Sequence, residues 1–424
     1  MKPFDVIVIG GGPAGSASAL LLARRGYRVA LLDQARFPRD KVCGEFISPA
    51  ADLILEEIGV LSAIEALSPI RLRGVAISSY EQSGFAVDYP SLPGSTQPMT
   101  SLSLPRFILD ALMIQKVREA GVDVKEGHKV TGFILEDGSV AGVNGRDDAR
   151  TPFSLRARMV VDAGGRNSVS LRRFNLRKKN ADGGKIALAA HWQGAGSLEN
   201  YCYMHISRPG YTGIAPTGKD QVNVVLVVDK KELGEKPIEE FYVQTVLNNR
   251  LRRRLLEKGQ LAEKVRTVDS LGFSVKSPQA GGLALVGDAT GFIDPFTGEG
   301  IYLSLRSAQL AAGVIDAAFK KGDFSKAGLS GYDRLRSGEF NKKFLLSRLL
   351  QRLIHHPSLC SRVVHTLAGN PDMAGTVVGV IGDYIPAGQV VGVQFLMKLF
   401  SRSRGSCLRV SSCERVNEDP LLFL

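Results

Sequence analysis

The sequence predicts an α/β chain: a Rossmann-like dinucleotide-binding domain, an inserted antiparallel β-sheet domain and a helical C-terminal region. Three observations predict it. An apolar run, Val6 to Ile9, passes into Gly10-x-Gly12-x-x-Gly15 and then into the Ala-rich segment Ser16 to Arg25. Between Gly184 and Asp229, β-rich runs are separated by Gly, Pro and Lys-Asp turns. A second Gly-rich loop, Gly287 to Ile301, opens a helical pattern, and the rest of the chain reads as mostly helical.

The opening unit is strand, Gly-rich turn, helix, then a second apolar run, Arg28 to Leu32, ending on Asp33. That is the spacing of a dinucleotide-binding fingerprint. Gly10 allows the tight turn, Gly12 lets the backbone approach a pyrophosphate, and Gly15 allows close helix–strand packing. Pro13 and Ala14 lie in the same turn, at a helix N-terminus that offers N–H groups to phosphates. Asp33 would accept the adenosine ribose hydroxyls. Leu104 to Ala120 then reads as a helix, with apolar residues at three- and four-residue spacings. Val122 to Val124, Lys129 to Glu136 and Ser139 to Gly142 read as strands, the last two joined by a hairpin turn at Glu136 to Ser139. Arg158 to Gly165 is a strand ending in small residues. Lys185 to Gln193, Asn200 to Ser207 and Gln221 to Asp229 form the antiparallel sheet, one wall of a substrate cavity. Ile238 to Lys258 reads as one charged helix, Gly282 to Ala289 as a buried strand, and Ile301 to Phe319 as a helix.

The 424 residues suffice for two or three domains. Hydrophobic content of 44% and charged content of 23% are those of a soluble globular chain. There is no signal-peptide pattern, because the first hydrophobic run follows only Lys2 and holds the fingerprint. Five cysteines without a CxxC spacing argue against a disulfide framework or a zinc site and suit a reducing cytoplasm. The net charge of +12 is not accompanied by a nucleic-acid motif. Its basic residues cluster at Arg334, Arg336, Lys342, Lys343, Arg348 and Arg352, beside Phe340, Phe344, Leu345, Leu349 and Leu353. Such a helix either packs its apolar face on its own protein or lies on an anionic membrane as a peripheral contact. Met373 to Met397 is apolar but broken by Asp383, Pro386 and glycines, so it reads as two short buried helices rather than a membrane span.

The second Gly-rich loop carries the strongest further signal. An Asp at a strand end, Asp288, can hydrogen-bond ribityl hydroxyls. Gly298, Gly300 and Ile301, at the opening of a helix, can bring N–H groups to a flavin's pyrimidine edge. With the N-terminal fingerprint, this loop resembles the para-hydroxybenzoate hydroxylase superfamily of FAD enzymes. Its run Gly-Asp-Ala-x-Gly-Phe-x-x-Pro-x-Thr-Gly-Glu-Gly-Ile is most similar to the geranylgeranyl reductase branch. The resemblance covers roughly residues 1 to 320. It implies FAD as cofactor and a GR2-type Rossmann-like FAD-binding domain assembled from residues 1–75, 100–170 and 275–330. Residues 76–99 and 180–274 then form the substrate domain, and residues 331–424 a helical region with a loose tail after Ser401.

The same resemblance extends to the loop Phe37 to Pro49, in which Cys43-Gly44 sits close to the flavin of that branch. Cys43 then modulates the flavin or is redox-active; read alone, it is equally a small residue filling a tight loop. Arg106, with Asp110, matches the superfamily's FAD-contacting Arg-x-x-x-Asp arrangement, and Val130 lies where members make a backbone contact to the adenine. Two departures are informative. Gly164 stands where hydroxylases carry the Asp of Gly-Ala-Asp-Gly-x-x-Ser, which speaks against their route to NADPH. The reductase substrate motif Tyr-x-Trp-x-Phe-Pro reads Tyr211-Thr212-Gly213-Ile214-Ala215-Pro216, so two bulky walls are small. The flavin halogenases need a Gly-Trp-x-Trp-x-Ile-Pro run, and this chain has a single tryptophan, Trp192. His191 and His205 lie on the cavity sheet and read as satisfied core or surface histidines.

No side chain announces itself as acid or base, and Cys43 and Tyr211 are the catalytic candidates. The expected function is an FAD-dependent oxidoreductase of a lipophilic small molecule, reducing a C=C bond with electrons from NADPH or a redox protein. The rival readings are a monooxygenase of aromatic or polyketide-like compounds and a non-catalytic prenyl-lipid binder of the same fold, like the Rab escort proteins.

Overall fold

The computed structural model describes residues 3–400 apart from 82, 93, 179–183, 197, 293 and 294. The tail after Ser401, and Ile293 and Asp294 of the second Gly-rich loop, therefore lie outside the described residues.

The Rossmann-like sheet runs Asp123–Lys125, Val29–Leu32, Phe4–Ile9, Pro152–Asp162, with Leu283–Leu285 on the far side of Pro152–Asp162. All these neighbours are parallel. Phe4–Ile9 and Val29–Leu32 are nearly continuous apolar runs because helices or further strands cover both faces. Pro152–Asp162 is longer than expected from the sequence, and its extra N-terminal half pairs antiparallel with Ser139–Arg146. That strand in turn pairs with Lys129–Glu136. The helix Pro13–Ala23 packs against Gly300–Lys321, so both Gly-rich loops open helices of one layer.

The second sheet runs Gln260–Leu261, Lys185–Gln193, Gln221–Asp229, Gly210–Gly218, Tyr201–Ser207, Gly74–Ser78, Gly84–Asp88, with Arg266–Leu271 also on Lys185–Gln193. It is antiparallel except for one pair, Tyr201–Ser207 with Gly74–Ser78. Gly210–Gly218 is a central strand that the sequence pattern hides. Three glycines and Pro216 dilute its apolar alternation, and the proline is accommodated beside a register shift to Gly218. One face of the sheet packs on Phe241, Tyr242 and Leu255 of two short helices, the other on the C-terminal helices. The expected single helix from Ile238 is broken into Ile238–Leu247 and Arg250–Leu256. Asn249 accepts from the N–H groups of Leu251 and Arg252 and so starts the second.

Arg252 is 1% exposed, and no carboxylate pairs with it among the described residues. Its guanidinium donates to the Thr245 and Val246 carbonyls and to the Ser207 and Thr212 hydroxyls. Burial lowers its pKa to about 10, which leaves it charged at neutral pH. The next strand's His205 is held neutral, its pKa lowered to about 3 by burial and by Arg252, and it shares a 2.7 Å hydrogen bond with Ser78. His205 is thus a satisfied core histidine. Arg252→Ala strands four acceptors and opens a cavity, so it should cost about 2–3 kcal/mol in denaturant unfolding. An unchanged midpoint would show that the guanidinium is not holding this helix to the sheet.

The basic helix is Lys326–Ile354, ending before His355 and His356. Phe340 faces inward, as expected of a helix whose apolar face packs on its own protein, and Lys343 of the basic cluster is buried with it. Lys343 pairs with Asp383 and lies 4.0 Å from Glu299, because a buried carboxylate needs a cation more than the surface does. After Pro371–Ile381, the expected second helix is split into Gly388–Val391 and Val393–Phe400 by Gly392. Val393 and Met397 are exposed rather than buried. Among the described residues, no helix is long and apolar enough to cross a membrane.

Candidate functional site

The parallel sheet reverses its strand order between Phe4–Ile9 and Pro152–Asp162, and such a crevice is where open α/β sheets bind ligands. Gly10 leaves the first strand with φ +96°, and a Cβ there would stand 2.6 Å from the Ala163 carbonyl oxygen. A Cβ on Gly15 would stand 1.8 Å from the Gly10 carbonyl oxygen, so the helix is pressed onto its own turn. Gly12 is different. Its missing Cβ faces only the guanidinium tips of Arg39 and Arg106, 3.6 and 3.7 Å away. Gly12 caps the helix and Pro13 occupies its first turn, where no N–H is needed. Open floor, helix N-terminus and two guanidiniums together make an anion cradle.

Arg106 is 6% exposed and makes a bidentate pair with Asp110, both bonds 2.8 Å. Arg39 adds a second cation 3.0 Å from the same carboxylate. Two guanidiniums around one carboxylate leave one positive charge in excess facing Gly12, which suits a diphosphate. Asp33 is buried at the end of the second strand; its Oδ2 accepts from Gly11 N–H at 2.7 Å and its Oδ1 from Ala35 N–H at 2.8 Å. Each oxygen keeps a lone pair for a ribose hydroxyl. Val130 lies on this side of the site, two residues after His128, whose N–H donates to the Asp33 carbonyl. Asp33→Ala should weaken FAD binding by about 1.5–3 kcal/mol, the scale of charge-assisted hydrogen bonds, measured by titrating the apoprotein. Unchanged affinity would move the ribose elsewhere.

The second loop folds as short 3-10 turns at Gly287–Thr290 and Pro295–Thr297, then the helix Gly300–Lys321. Asp288, Gly298, Gly300 and Ile301 converge on the same cavity as Gly12, Pro13, Ala14, Cys43, Gly44 and Arg106. Burial pushes the Cys43 thiol up, opposed by Arg106, so Cys43 is a thiol rather than a nucleophilic thiolate. Lys41 also lines the cavity, its pKa lowered by burial and by Arg106 and supported by Asp288. Asp162, missed in the sequence, is fully buried and takes the N–H of Gly164 and the hydroxyls of Ser168 and Ser170. It shapes the turn that Gly10 abuts.

The cavity does not stop at the cradle. It continues onto the inner face of the second sheet, over Ala187, Met204, Val225 and Val227, and ends against Ile381 of the C-terminal helices. Tyr211, Gly213 and Ala215 line it, with Tyr211 edge-on to Phe296 at 4.9 Å. Pro216, expected among the substrate contacts, is one residue out of phase on the strand and is not part of the lining. Trp192 is on the opposite face, donating from its indole N–H to Tyr242.

The structure brings together a loop that sequence spacing could not connect. Glu45 follows Cys43-Gly44 with φ 58° and is 5% exposed. Its carboxylate accepts from the Arg106 N–H at 3.2 Å and meets His191 at 2.8 Å. Asn223 donates to the Cys43 carbonyl at 2.8 Å. His191 is therefore paired, as expected, but with an acid beside the Cys43 loop.

Comparison with known proteins agrees with this arrangement. The menaquinone reductase of Mycolicibacterium smegmatis is 28% identical over 369 residues, covering 83% of this chain and 85% of that protein. The 1H-pyrrole-2-carbonyl-[peptidyl-carrier protein] chlorinase of Pseudomonas fluorescens is 28% identical over 369 residues, covering 79% and 81%. The crystal structure of a geranylgeranyl bacteriochlorophyll reductase-like protein from Thermoplasma acidophilum superposes with a TM-score of 0.77 at 24% identity, covering 94% and 98%. Residues 3–341 match the FAD binding domain family, and the cradle at Gly12, Arg39 and Arg106 fits that dinucleotide. FAD is thus the cofactor, and the chain belongs to the FAD-binding domain family.

Proposed function

We propose that this FAD-dependent oxidoreductase reduces a carbon–carbon double bond in a lipophilic, isoprenoid-type substrate. One observation carries the reading: a single cavity joins the cofactor cradle to an apolar sheet face. The bound flavin supplies hydride chemistry there. The chain's part is to bind, orient and exclude water. Gly10, Gly12, Pro13, Ala14, Gly15, Asp33, Arg106 and Val130 hold the nucleotide end, and Asp288, Gly298, Gly300 and Ile301 hold the ring end. Met204, Val225 and Val227 seat apolar substrate against it. Gly213 and Ala215 leave room for a ring beside an isoprenoid chain. Two reductase names among the similar proteins point the same way. The halogenase reading is disfavoured, since the only tryptophan in the sequence faces away from the cavity.

The electron donor is external. The reading puts the enzyme in the cytoplasm, a reducing compartment that suits a chain of five cysteines without a CxxC spacing. Leu345 and Leu349, 44% and 38% exposed between Lys342, Arg348 and Arg352, give a face for peripheral contact with the membrane that holds such a substrate. The test is an anaerobic incubation of chemically reduced holoenzyme with a menaquinone or a geranylgeranyl lipid, followed by mass spectrometry. Two added hydrogens with reoxidation of the cofactor support the proposal. Oxygen incorporation on admitting air, without hydrogen addition, favours the monooxygenase. A yellow protein that does neither with any lipid overturns the reductase reading.

A further inference from the structure

We propose that His191 is a positioning residue that pins the Cys43-Gly44-Glu45 loop at the cofactor end of the cavity, reaching across from the substrate sheet as a charged clasp between Glu45 and Glu263. The geometry is a chain of partly buried contacts. His191 projects from the strand Lys185–Gln193, its Nε2 2.8 Å from Glu45 Oε2 and its Nδ1 2.8 Å from Glu263 Oε1. Its side chain is 17% exposed, that of Glu45 6% and that of Glu263 28%. A neutral imidazole has one N–H and could satisfy only one of these carboxylates, whereas the imidazolium donates to both. The second hook is Asn223, on the paired strand, directly opposite His191 in the register, bonded to the Cys43 carbonyl.

The loop needs such a hold. Glu45 sits at φ 58°, a conformation that a residue with a side chain rarely adopts, so contacts around it must supply what the backbone does not. Those contacts are few and directional. The Glu45 N–H donates to Cys43 Sγ at 3.3 Å. Its carbonyl accepts from Leu104 N–H, and its carboxylate accepts from Arg106 N–H at the start of the helix Arg106–Glu119. Cys43 and Arg106 both line the cavity, so the clasp holds part of the wall next to the cradle.

The clasp has a defined charge state. Burial opposes the imidazolium, but the hydrogen bonds and charges of Glu45 and Glu263 outweigh it and raise the His191 pKa to about 9. The other charged groups around it are Arg266, paired with Glu263 and 3.5 Å from Asp40, and Arg106 beside Glu45; the neutral Cys43 thiol is the remaining titratable group there. Since the folded pKa lies above the unfolded value of 6.5, the clasp's contribution is complete below about pH 6.5 and is lost as pH rises through about 9.

The proposal depends on bound FAD but not on which double bond is reduced, so it can fail or stand independently of the reductase reading. The experiment follows the absorption and visible circular dichroism of oxidised FAD in the holoenzyme between pH 7 and 10. The wild type should show a transition with a midpoint near pH 9. His191→Asn should lack it and should show at pH 7 the spectrum that the wild type reaches at pH 10. His191→Lys keeps a cation and should restore the wild-type spectrum at pH 7. Glu263→Gln, at the solvent end of the clasp, should lower the midpoint by about one pH unit, as expected for loss of one neighbouring opposite charge. That variant decides the matter even if His191→Asn does not fold. A flat wild-type profile, a transition that persists in His191→Asn, or an unmoved midpoint in Glu263→Gln overturns the proposal.

Discussion

Gly12→Val is expected to give a folded, colourless protein that FAD does not restore. The contrast with Gly15 three residues later makes this specific. A methyl group on Gly15 would stand 1.8 Å from a backbone oxygen, so any substitution there pushes the first helix off its turn and should unfold the domain. At Gly12 the nearest atoms are the ends of two long side chains, Arg39 and Arg106, both more than 3.5 Å from a Cβ position. Without cofactor, the valine has room. With cofactor, it stands in the space between the helix N-terminus and the two guanidiniums, where the diphosphate must lie. The diphosphate would then lose close contact with the N–H groups and be displaced from both cations. A loss of at least 100-fold in affinity, about 2.7 kcal/mol, is expected, because more than one charge-assisted hydrogen bond is disrupted. Isothermal titration of apoprotein with FAD measures it, with far-ultraviolet circular dichroism as the check on folding. Normal FAD affinity in Gly12→Val would displace the diphosphate from this turn and, with it, the roles given to Arg39 and Arg106.

The cradle was legible because its signal is local. Gly10, Gly12, Gly15 and Asp33 fall within one strand–helix–strand unit, and each has a backbone reason to be what it is. The same holds for the loop from Gly287 to Ile301, which ends in a helix N-terminus. The strand Gly210–Gly218 escaped because its glycines and Pro216 look like loop residues. What makes them a strand is pairing on both sides, with Tyr201–Ser207 and Gln221–Asp229. Tertiary pairing overrides local propensity there. Glu45 and His191 were invisible for a different reason. They are 146 residues apart, and nothing in either neighbourhood announces the other. A buried pair of this kind is set by how two sheets face one cavity, which no periodicity records. The only hint was an acid directly after Cys43-Gly44, in a loop too tight to leave its carboxylate in water. Lys343 reads in the sequence as one more member of the basic cluster, and only the fold reveals Asp383 beside it.

The cavity's width is where sequence and structure meet most usefully, and it yields the second large effect: Gly213→Trp should weaken substrate binding and leave FAD in place. Gly213 lies midway along its strand, in phase with Tyr211 and Ala215, all three lining the cavity. Its missing Cβ would meet only Met204 Sδ, at 3.5 Å, an ordinary contact, so a side chain can start there without moving the backbone. Everything beyond the Cβ must then extend along the apolar face formed by Met204, Val225 and Val227. The cavity of about 190 Å³ includes the cofactor cradle, and at its sheet end an indole would lie over Met204, Val225 and Val227. The cradle at Gly12, Asp33 and Arg106 belongs to the other sheet and its helix layer, so the phosphates and adenosine keep their partners. Binding of a menaquinone or geranylgeranyl lipid, followed through the flavin spectrum, should weaken by about 10- to 100-fold, or 1.4–2.7 kcal/mol. The loss comes from excluded volume, not from altered chemistry, so cofactor occupancy and thermal stability should stay close to wild type. A smaller ligand with one isoprene unit should lose less than a full chain, because it can occupy what space remains. Equal affinities for the long ligand in both proteins would mean that the Tyr211–Ala215 segment does not bound the substrate, and the apolar sheet face would lose its assigned role.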